Sequence, residues 1–160
     1  MVKHLTILLF VLFIGCEMNS EQLIKSENIN FENIKFNAVS KDLKFTNIEE
    51  GLEVETTKKL VKNWFNNNVK IDGFDGNLSI NVTSIKTNKI KRDEYYRFEI
   101  DISIEFLETN EVLNKRKIYK INSIEYGDIK GSFSIKDTEN LNKNIISNSL
   151  KSINQKLSGM

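Results

Sequence analysis

The chain has one cysteine and one histidine, and both lie within its first sixteen residues. Cys16 follows a basic start that contains Lys3 and His4, and then an apolar stretch over residues 5–14. A basic start, a short apolar run and a small residue before the cleavage site form the pattern of a secretory signal. The run is shorter than the roughly 20 apolar residues that a membrane span needs. Because the chain has no second cysteine for a disulfide, we expect the Cys16 thiol to accept a lipid.

Residues 12–16, Leu-Phe-Ile-Gly-Cys, resemble the lipobox of bacterial lipoproteins, with Phe13 at the position where that family usually has leucine. The resemblance implies cleavage just before Cys16, a diacylglycerol on its sulfur and an acyl chain such as palmitate on the new amino group. It also implies a protein of the cell envelope that faces the periplasm, with the outer membrane favoured over the inner. Several acyl chains hold a protein firmly, whereas one chain gives only marginal attachment.

These features divide the chain into a signal peptide over 1–15, a lipidated N-terminus and flexible tether over 16–30, and a single domain over 31–160. The chain has 23 basic and 22 acidic residues, and Lys3 is the one member of this set in the predicted signal. The remainder therefore carries equal numbers of the two charges. Nucleic-acid-binding domains usually show a basic excess, so the composition argues against a nucleic-acid partner.

Acid–base chemistry beyond the signal would have to use carboxylates, since no histidine or second cysteine is present there. That composition excludes histidine-dependent triads and zinc sites built from His or Cys, and we expect no catalytic site, metal site or cofactor. A hydrolase built on carboxylates is the formal alternative. A solvated sheet face and a plain turn are the simpler interpretation of the same residues. The candidates are Asp72, Asp75, Glu99, Asp101 and Glu105.

Two basic clusters could contact phosphate groups, for example on lipid A or on anionic lipid headgroups. Solvated loops are the alternative interpretation, and Asp93 and Glu94 lie beside the first cluster. The first cluster consists of Lys86, Lys89, Lys91 and Arg92, and the second of Lys115, Arg116 and Lys117.

Two amphipathic helices are predicted from apolar residues that recur at steps of three and four. The first covers Thr56 to Val69, and Thr56 or Thr57 could cap its start. Its Trp64 and Phe65 could line a ligand pocket, although such a stripe more often packs in the core. The second helix is expected to be capped by Asp137 or Thr138 and to end at Gly159.

Alternating apolar and polar residues predict the strands. The clearest alternation runs from Tyr96 to Phe106. A connector is predicted over 40–55, a turn at Thr109 and Asn110, and a short extended piece at Phe133 and Ile135. The other predicted strands cover 33–39, 77–90 with a bulge or bend near Ser84, and 112–126.

The predicted fold class is α+β, a two-layer sandwich with both helices on one face of a mainly antiparallel sheet, in the order β-α-β-β-β-α. The predicted sheet has one polar face and one apolar face, and the two amphipathic helices cover the apolar face. Short polar connections between the three successive strands favour antiparallel pairing.

This layout, over about 33–157, resembles the outer-membrane lipoprotein of lipopolysaccharide assembly and related small envelope lipoproteins. The resemblance includes the step from helix to turn to long strand at Val69-Lys70-Ile71-Asp72-Gly73. It implies a non-enzymatic lipoprotein that binds a protein partner such as an outer-membrane barrel. An auxiliary lipid-binding subunit of an envelope transporter is the alternative. A carboxylate enzyme is the third interpretation.

Overall fold

The computed structural model describes residues 31–159. Its elements confirm the predicted fold class, because two helices pack on one face of a mainly antiparallel sheet. The strands are β1 (Ile34–Phe36), β2 (Ser40–Phe45), β3 (Val69–Ile71), β4 (Asn77–Lys91), β5 (Tyr95–Asn110) and β6 (Lys115–Lys130), and the helices are α1 (Leu52–Asn68) and α2 (Ile135–Ser158).

The main sheet has four strands in the order β2-β4-β5-β6. The last three form an antiparallel meander, as the short connections predict, whereas β2 runs parallel to β4. The register between β4 and β5 shifts between Val82 and Ser84, which confirms the irregularity predicted near Ser84. A separate two-stranded parallel sheet joins β1 to β3.

The core lies between the main sheet and the two helices. Every second residue of β5 faces it, so the alternation predicted the buried side correctly. Trp64 of α1 is 2% exposed, and its ring meets that of Phe106 edge-on, with 6.4 Å between centroids. Phe65 is also buried. Both aromatic residues are therefore core residues. The buried residues of β5 are Phe98, Ile100, Ile102, Ile104 and Phe106.

The predicted connector over 40–55 was wrong, because it contains β2 and the start of α1. β2 is short and lies at a sheet edge, and its sequence is mostly polar, so the usual strand signal is weak. The first helix begins at Leu52 instead of Thr56, and no side chain caps it. Thr57 lies inside the helix, where its hydroxyl donates to the carbonyl oxygen of Glu53.

The second helix also begins earlier than predicted. Ser134, not Asp137 or Thr138, is its N-cap, and the Ser134 hydroxyl accepts a hydrogen bond from the N–H of Asp137. The Asp137 carboxylate in turn accepts from the N–H of Ser134, so the two residues form a capping box. Ile135 is the first helical residue, which corrects the predicted extended piece there.

Two further boundaries differ from the prediction. Val69 begins β3 instead of ending the helix. β6 begins at Lys115, and the turn before it lies over 111–114 instead of at Thr109 and Asn110, which belong to β5. Asn114 has a φ of 47°, a conformation that asparagine tolerates better than most residues.

The ammonium group of Lys41, in β2, lies at the C-terminus of α1. The last turn of α1 has no basic residue. The Lys41 Nζ donates to the carbonyl oxygens of Phe65, at 3.1 Å, and of Val69. These bonds satisfy carbonyls that a helix end leaves free, and they place a cation at the negative end of the helix dipole. Burial, together with Lys70, lowers the pKa of Lys41.

Candidate functional site

The predicted lipidation site at Cys16 and the tether over 16–30 lie outside the described residues. The described chain begins at Phe31, whose carbonyl oxygen accepts a hydrogen bond of 2.9 Å from Nδ2 of Asn68. The carbonyl oxygen of Glu32 accepts one of 3.1 Å from Nδ2 of Asn154. Asn68 is the last residue of α1, and Asn154 lies in the last turns of α2. The chain therefore enters the domain at the C-terminal ends of both helices.

The first basic cluster does not form one site, because the strand alternation divides it. Lys89 pairs with Phe98 and so lies on the helix-covered face, whereas Lys86 pairs with Asp101 on the open face. The Lys89 Nζ lies 4.9 to 5.4 Å from the centres of three aromatic rings, those of Tyr96, Phe98 and Phe133. A cation over aromatic faces is held by their quadrupoles. Lys89 therefore has an intramolecular partner. Lys86 lies on the open face, and Lys91 and Arg92 are the other two members of the cluster.

The second basic cluster lies at the other end of the sheet. Lys91 pairs with Tyr96 at the β4–β5 hairpin, whereas Lys115 pairs with Asn110 at the β5–β6 hairpin. Lys117 is 3.9 Å from a carboxylate oxygen of Glu108, and Arg116 lies on the opposite face of the strand from Lys117. The two basic clusters cannot act on the same phosphate group.

The predicted carboxylate candidates have separate structural partners. Glu105 forms an ion pair of 3.0 Å with Lys120. Glu99 accepts a hydrogen bond of 3.3 Å from Asn88, and Asp101 accepts one from Asn122. These three carboxylates belong to a polar ladder on the open sheet face, which is the simpler interpretation of the sequence.

The two turn carboxylates also have structural contacts. Asp75 accepts from the N–H of Val112 at 2.7 Å, and Asp72 lies 3.7 Å from Lys35. Among the described residues, no group of three or more His, Cys, Asp or Glu side chains is placed to hold a metal ion.

The open face of the sheet carries a cluster that sequence reasoning missed. The Arg97 guanidinium binds both carboxylate oxygens of Asp128, at 2.8 and 2.9 Å, and lies 4.1 Å from the centre of the Tyr126 ring. Arg97 lowers the pKa of Asp128, and Asp128 raises that of Arg97 above its usual range. Ile124 is exposed beside this cluster, and Ile118 is exposed farther along β6. The polar alternation placed Arg97 on this face, but cross-strand neighbours follow only from the register.

β6 is an edge strand of 16 residues, and α2 protects part of its free edge. The Ser103 carbonyl oxygen accepts from Thr83 of β4, so the backbone of Ser103 points away from β6. Ser103 and Asn122 stand opposite each other in the antiparallel pair, and their backbone groups do not bond to one another. The N–H and carbonyl groups of Asn122 therefore point to the free edge of β6. The Lys156 Nζ donates to the Asn122 carbonyl oxygen at 2.7 Å. A lysine at a sheet edge opposes the addition of another strand.

A cleft of about 300 Å³ lies between the two helices, not between the helices and the sheet. Its lining includes Leu60, Trp64 and Leu150, but also Asn63 and Asn67. The layer that an acyl chain would have to enter is instead filled by core side chains, among them Phe106. This arrangement does not favour the lipid-binding alternative.

No protein-family model matches the chain, and no curated protein sequence matches it. Some solved structures are similar to it. A minor lipoprotein from Acinetobacter baumannii is 12% identical with a TM-score of 0.45, over 75% of this chain and 90% of that one. A Xanthomonas campestris protein of the DUF330 family is 9% identical with a TM-score of 0.47, over 81% and 86%. Rare lipoprotein B from Shewanella oneidensis is 10% identical with a TM-score of 0.39, over 75% and 91%.

Neither helix within residues 31–159 is long and apolar enough to cross a membrane.

Proposed function

We propose that the protein is a lipid-anchored lipoprotein of the bacterial cell envelope that acts non-enzymatically by binding a protein partner. The sequence up to Cys16 supports the anchor, since it combines a secretory signal with a lipobox-like end and a lone thiol. The domain faces the periplasm in this proposal, and the outer membrane is favoured over the inner.

The observation that carries the partner proposal is the open sheet face around Arg97. Tyr126 and Ile124 are exposed there, and the ion pair with Asp128 holds the Arg97 guanidinium over the Tyr126 ring. Aromatic residues and arginine are enriched at protein interfaces and dominate their energetics. Lys156 opposes strand addition at Asn122, which favours contact through the face of β6 over contact through its edge.

The partner we propose is a protein of outer-membrane assembly, such as the barrel of lipopolysaccharide assembly implied by the sequence resemblance. The alternative is an envelope transporter that this chain would assist as a lipid-binding subunit. Photo-crosslinking separates the two. A photoreactive residue at Ile124 in cells should crosslink to an outer-membrane barrel, and the same residue at exposed Lys143 on α2 is the control.

A crosslink at Ile124 to an inner-membrane transporter would select the alternative. No specific crosslink at Ile118, Ile124 or Tyr126, with the protein still bound to membranes, would contradict the open face as the binding surface. Cys16→Ser tests the anchor independently, because it should abolish incorporation of labelled palmitate.

The non-enzymatic part of the proposal has its own test. The triple variant Glu99→Ala, Asp101→Ala and Glu105→Ala removes three candidate carboxylates from the open face. Their partners there are Asn88, Asn122 and Lys120. We expect the folded variant to retain the cellular phenotype of the unmodified protein, because the proposed partner contact is made by Ile124 and Tyr126 of β6 and not by the carboxylates opposite them. Loss of that phenotype with retained folding and retained Ile124 crosslinking would favour a carboxylate enzyme.

A further inference from the structure

Four apolar side chains project from one end of the domain, on three turns. Phe74 is fully exposed, and Val112, Leu113 and Val39 are 82%, 59% and 52% exposed. Phe74 lies between β3 and β4, Val112 and Leu113 lie between β5 and β6, and Val39 lies between β1 and β2. These four residues form the apolar tip of the domain. Single exposed apolar residues are common on proteins, but a group of them marks an interaction surface.

Hydrogen bonds and a close backbone approach join the three turns. The N–H of Val112 donates to Oδ2 of Asp75 at 2.7 Å, and the N–H of Val39 donates to the carbonyl oxygen of Gly76 at 3.1 Å. Gly76 has a φ of 86°, and a Cβ there would lie 1.8 Å from the Thr109 carbonyl oxygen. These contacts hold the turns together, so their apolar side chains are presented to the surroundings as one surface.

The chain that leads from Cys16 enters the domain near this end. Phe31 is hydrogen-bonded to Asn68, the last residue of α1, and β3 and the turn that bears Phe74 follow directly. From Cys16 on, fifteen residues precede Phe31. A chain of that length spans at most about 50 Å. A lipid on Cys16 therefore keeps the domain within that distance of a bilayer.

Charged residues beside the apolar tip fit the headgroup region of a bilayer. Lys115 and Arg116 follow the β5–β6 turn, and Glu111 begins it. Lys117 is next to Glu108, at 3.9 Å. Apolar side chains enter the boundary between headgroups and acyl chains, while lysine and arginine near them contact lipid phosphates. Asp72 and Asp75 flank Phe74 in the neighbouring turn, and Lys35 lies 3.7 Å from Asp72. The local charge is therefore nearly balanced, so the apolar side chains supply most of the attraction.

We infer that the apolar tip is a second membrane contact, which inserts into the same leaflet that holds the lipid on Cys16. This inference rests on the proposed anchor, because the anchor supplies the bilayer. Insertion directs the β5–β6 hairpin towards the membrane and the β4–β5 hairpin away from it. It fixes the orientation of the domain, with the open sheet face roughly upright on the membrane surface.

The test uses the full lipidated chain reconstituted in vesicles of phosphatidylethanolamine and phosphatidylglycerol with brominated acyl chains, which quench nearby indoles. Phe74→Trp places an indole in the apolar tip. Ile135→Trp is the control, because Ile135 is 81% exposed and begins α2 at the opposite end of the sheet. Trp64 is present in both variants and buried, so it contributes an equal background. Insertion at the depth of interfacial side chains should quench the Phe74→Trp variant at least about twofold more than the control.

The outcomes separate this inference from the proposed anchor. Equal quenching of the two variants, with the protein still floating with the vesicles, overturns membrane contact by the tip and leaves the anchor intact. Failure of the protein to float overturns the anchor and the inference together. A fluorescence shift of the Phe74→Trp variant that depends on protein concentration without vesicles shows a second copy at the tip, and also overturns the inference. A further variant, Val112→Glu in the Phe74→Trp background, should reduce the quenching without changing the helical circular dichroism.

Discussion

The indole Nε1 of Trp64 donates a hydrogen bond of 3.0 Å to Oδ1 of Asn154, which lies ninety positions later in the sequence. Asn154 is also buried and uses its Nδ2 to hold the Glu32 carbonyl oxygen. One side-chain amide thus joins α1, α2 and the segment by which the chain enters the domain. Since buried polar groups are costly when they lack partners, these three parts of the fold depend on each other.

Asn154→Ala should destabilise the domain, because it leaves the buried indole N–H of Trp64 without an acceptor. An unsatisfied buried donor costs about 1–3 kcal/mol in the free energy of unfolding. Urea denaturation measures the loss. Asn148→Ala is the matched control, since Asn148 is exposed on the same helix and its replacement should change stability little. If the two variants were equally stable, the shared amide would not support the fold as described.

Replacement of Gly127 should show how closely α2 approaches the sheet. A Cβ at this position would lie 2.6 Å from Cδ1 of Leu141 and 3.1 Å from Cδ1 of Ile145. Gly127→Ala should therefore lower stability by about 1 kcal/mol, the low end of the cost of overpacking, because the Leu141 methyl group ends a flexible side chain that can shift. Gly51→Ala is the control, because a Cβ there meets Val54 at an ordinary distance of 3.7 Å. Adding Leu141→Val should recover part of the loss, whereas strictly additive effects of the two substitutions would argue against a direct clash.

The capping box of α2 should make stability depend on pH in the acid range. Hydrogen bonds from Ser134 lower the pKa of Asp137 below its ordinary value of 3.8. The unfolded chain therefore takes up a proton before the folded one as the pH falls, and this stabilisation is lost as the pH passes through the folded pKa. The stability difference between the unmodified protein and Asp137→Ala should shrink between about pH 5 and about pH 2.

Equilibrium unfolding at several pH values measures this effect. Glu139→Ala, in the same helix, is the control and should show no comparable change. A difference between the unmodified protein and Asp137→Ala that stayed constant with pH would contradict the role of the ionised carboxylate.

Lys156→Ala should promote self-association through β6, because it frees the Asn122 carbonyl oxygen at the sheet edge. Sedimentation velocity over a range of protein concentrations measures the change, and we expect larger species from the variant alone. Lys151→Ala removes another exposed lysine of α2 and controls for the loss of positive charge. Association of both variants to the same extent would point to charge, not to edge protection, as the cause.

The sequence predicts the elements whose contacts are local or strictly periodic. β5 alternates between apolar and polar residues over its whole buried stretch, and each helix has an apolar stripe, so their types follow directly. β2 was missed because its stability comes from parallel pairing with β4 and from Lys41 reaching the end of α1, neither of which leaves a periodic signal. The Ser134–Asp137 capping pair is visible in the sequence, but the apolar residues Phe133 and Ile135 on either side of Ser134 have the spacing of a strand.

The candidate site was harder to predict, because it depends on the register between strands. The residue types on the polar face of β5 were identified, but the contact of Arg97 with Asp128 and Tyr126 follows only when β6 is aligned to it. The two basic clusters looked comparable in sequence, yet the strand lengths place them at opposite ends of the sheet. Phe74 had one signal that could have been used, a large apolar residue within the turn cluster Asp72–Gly76.

The hydrogen bond between Glu32 and Asn154 spans nearly the whole described chain. Contacts so distant in sequence form late, since a long stretch of polypeptide must be ordered before they can close. During biosynthesis, a nascent chain that has released all but its last helix still lacks the residue that completes the junction between its beginning and its end. Closure of the domain therefore waits until the C-terminal helix has left the ribosome.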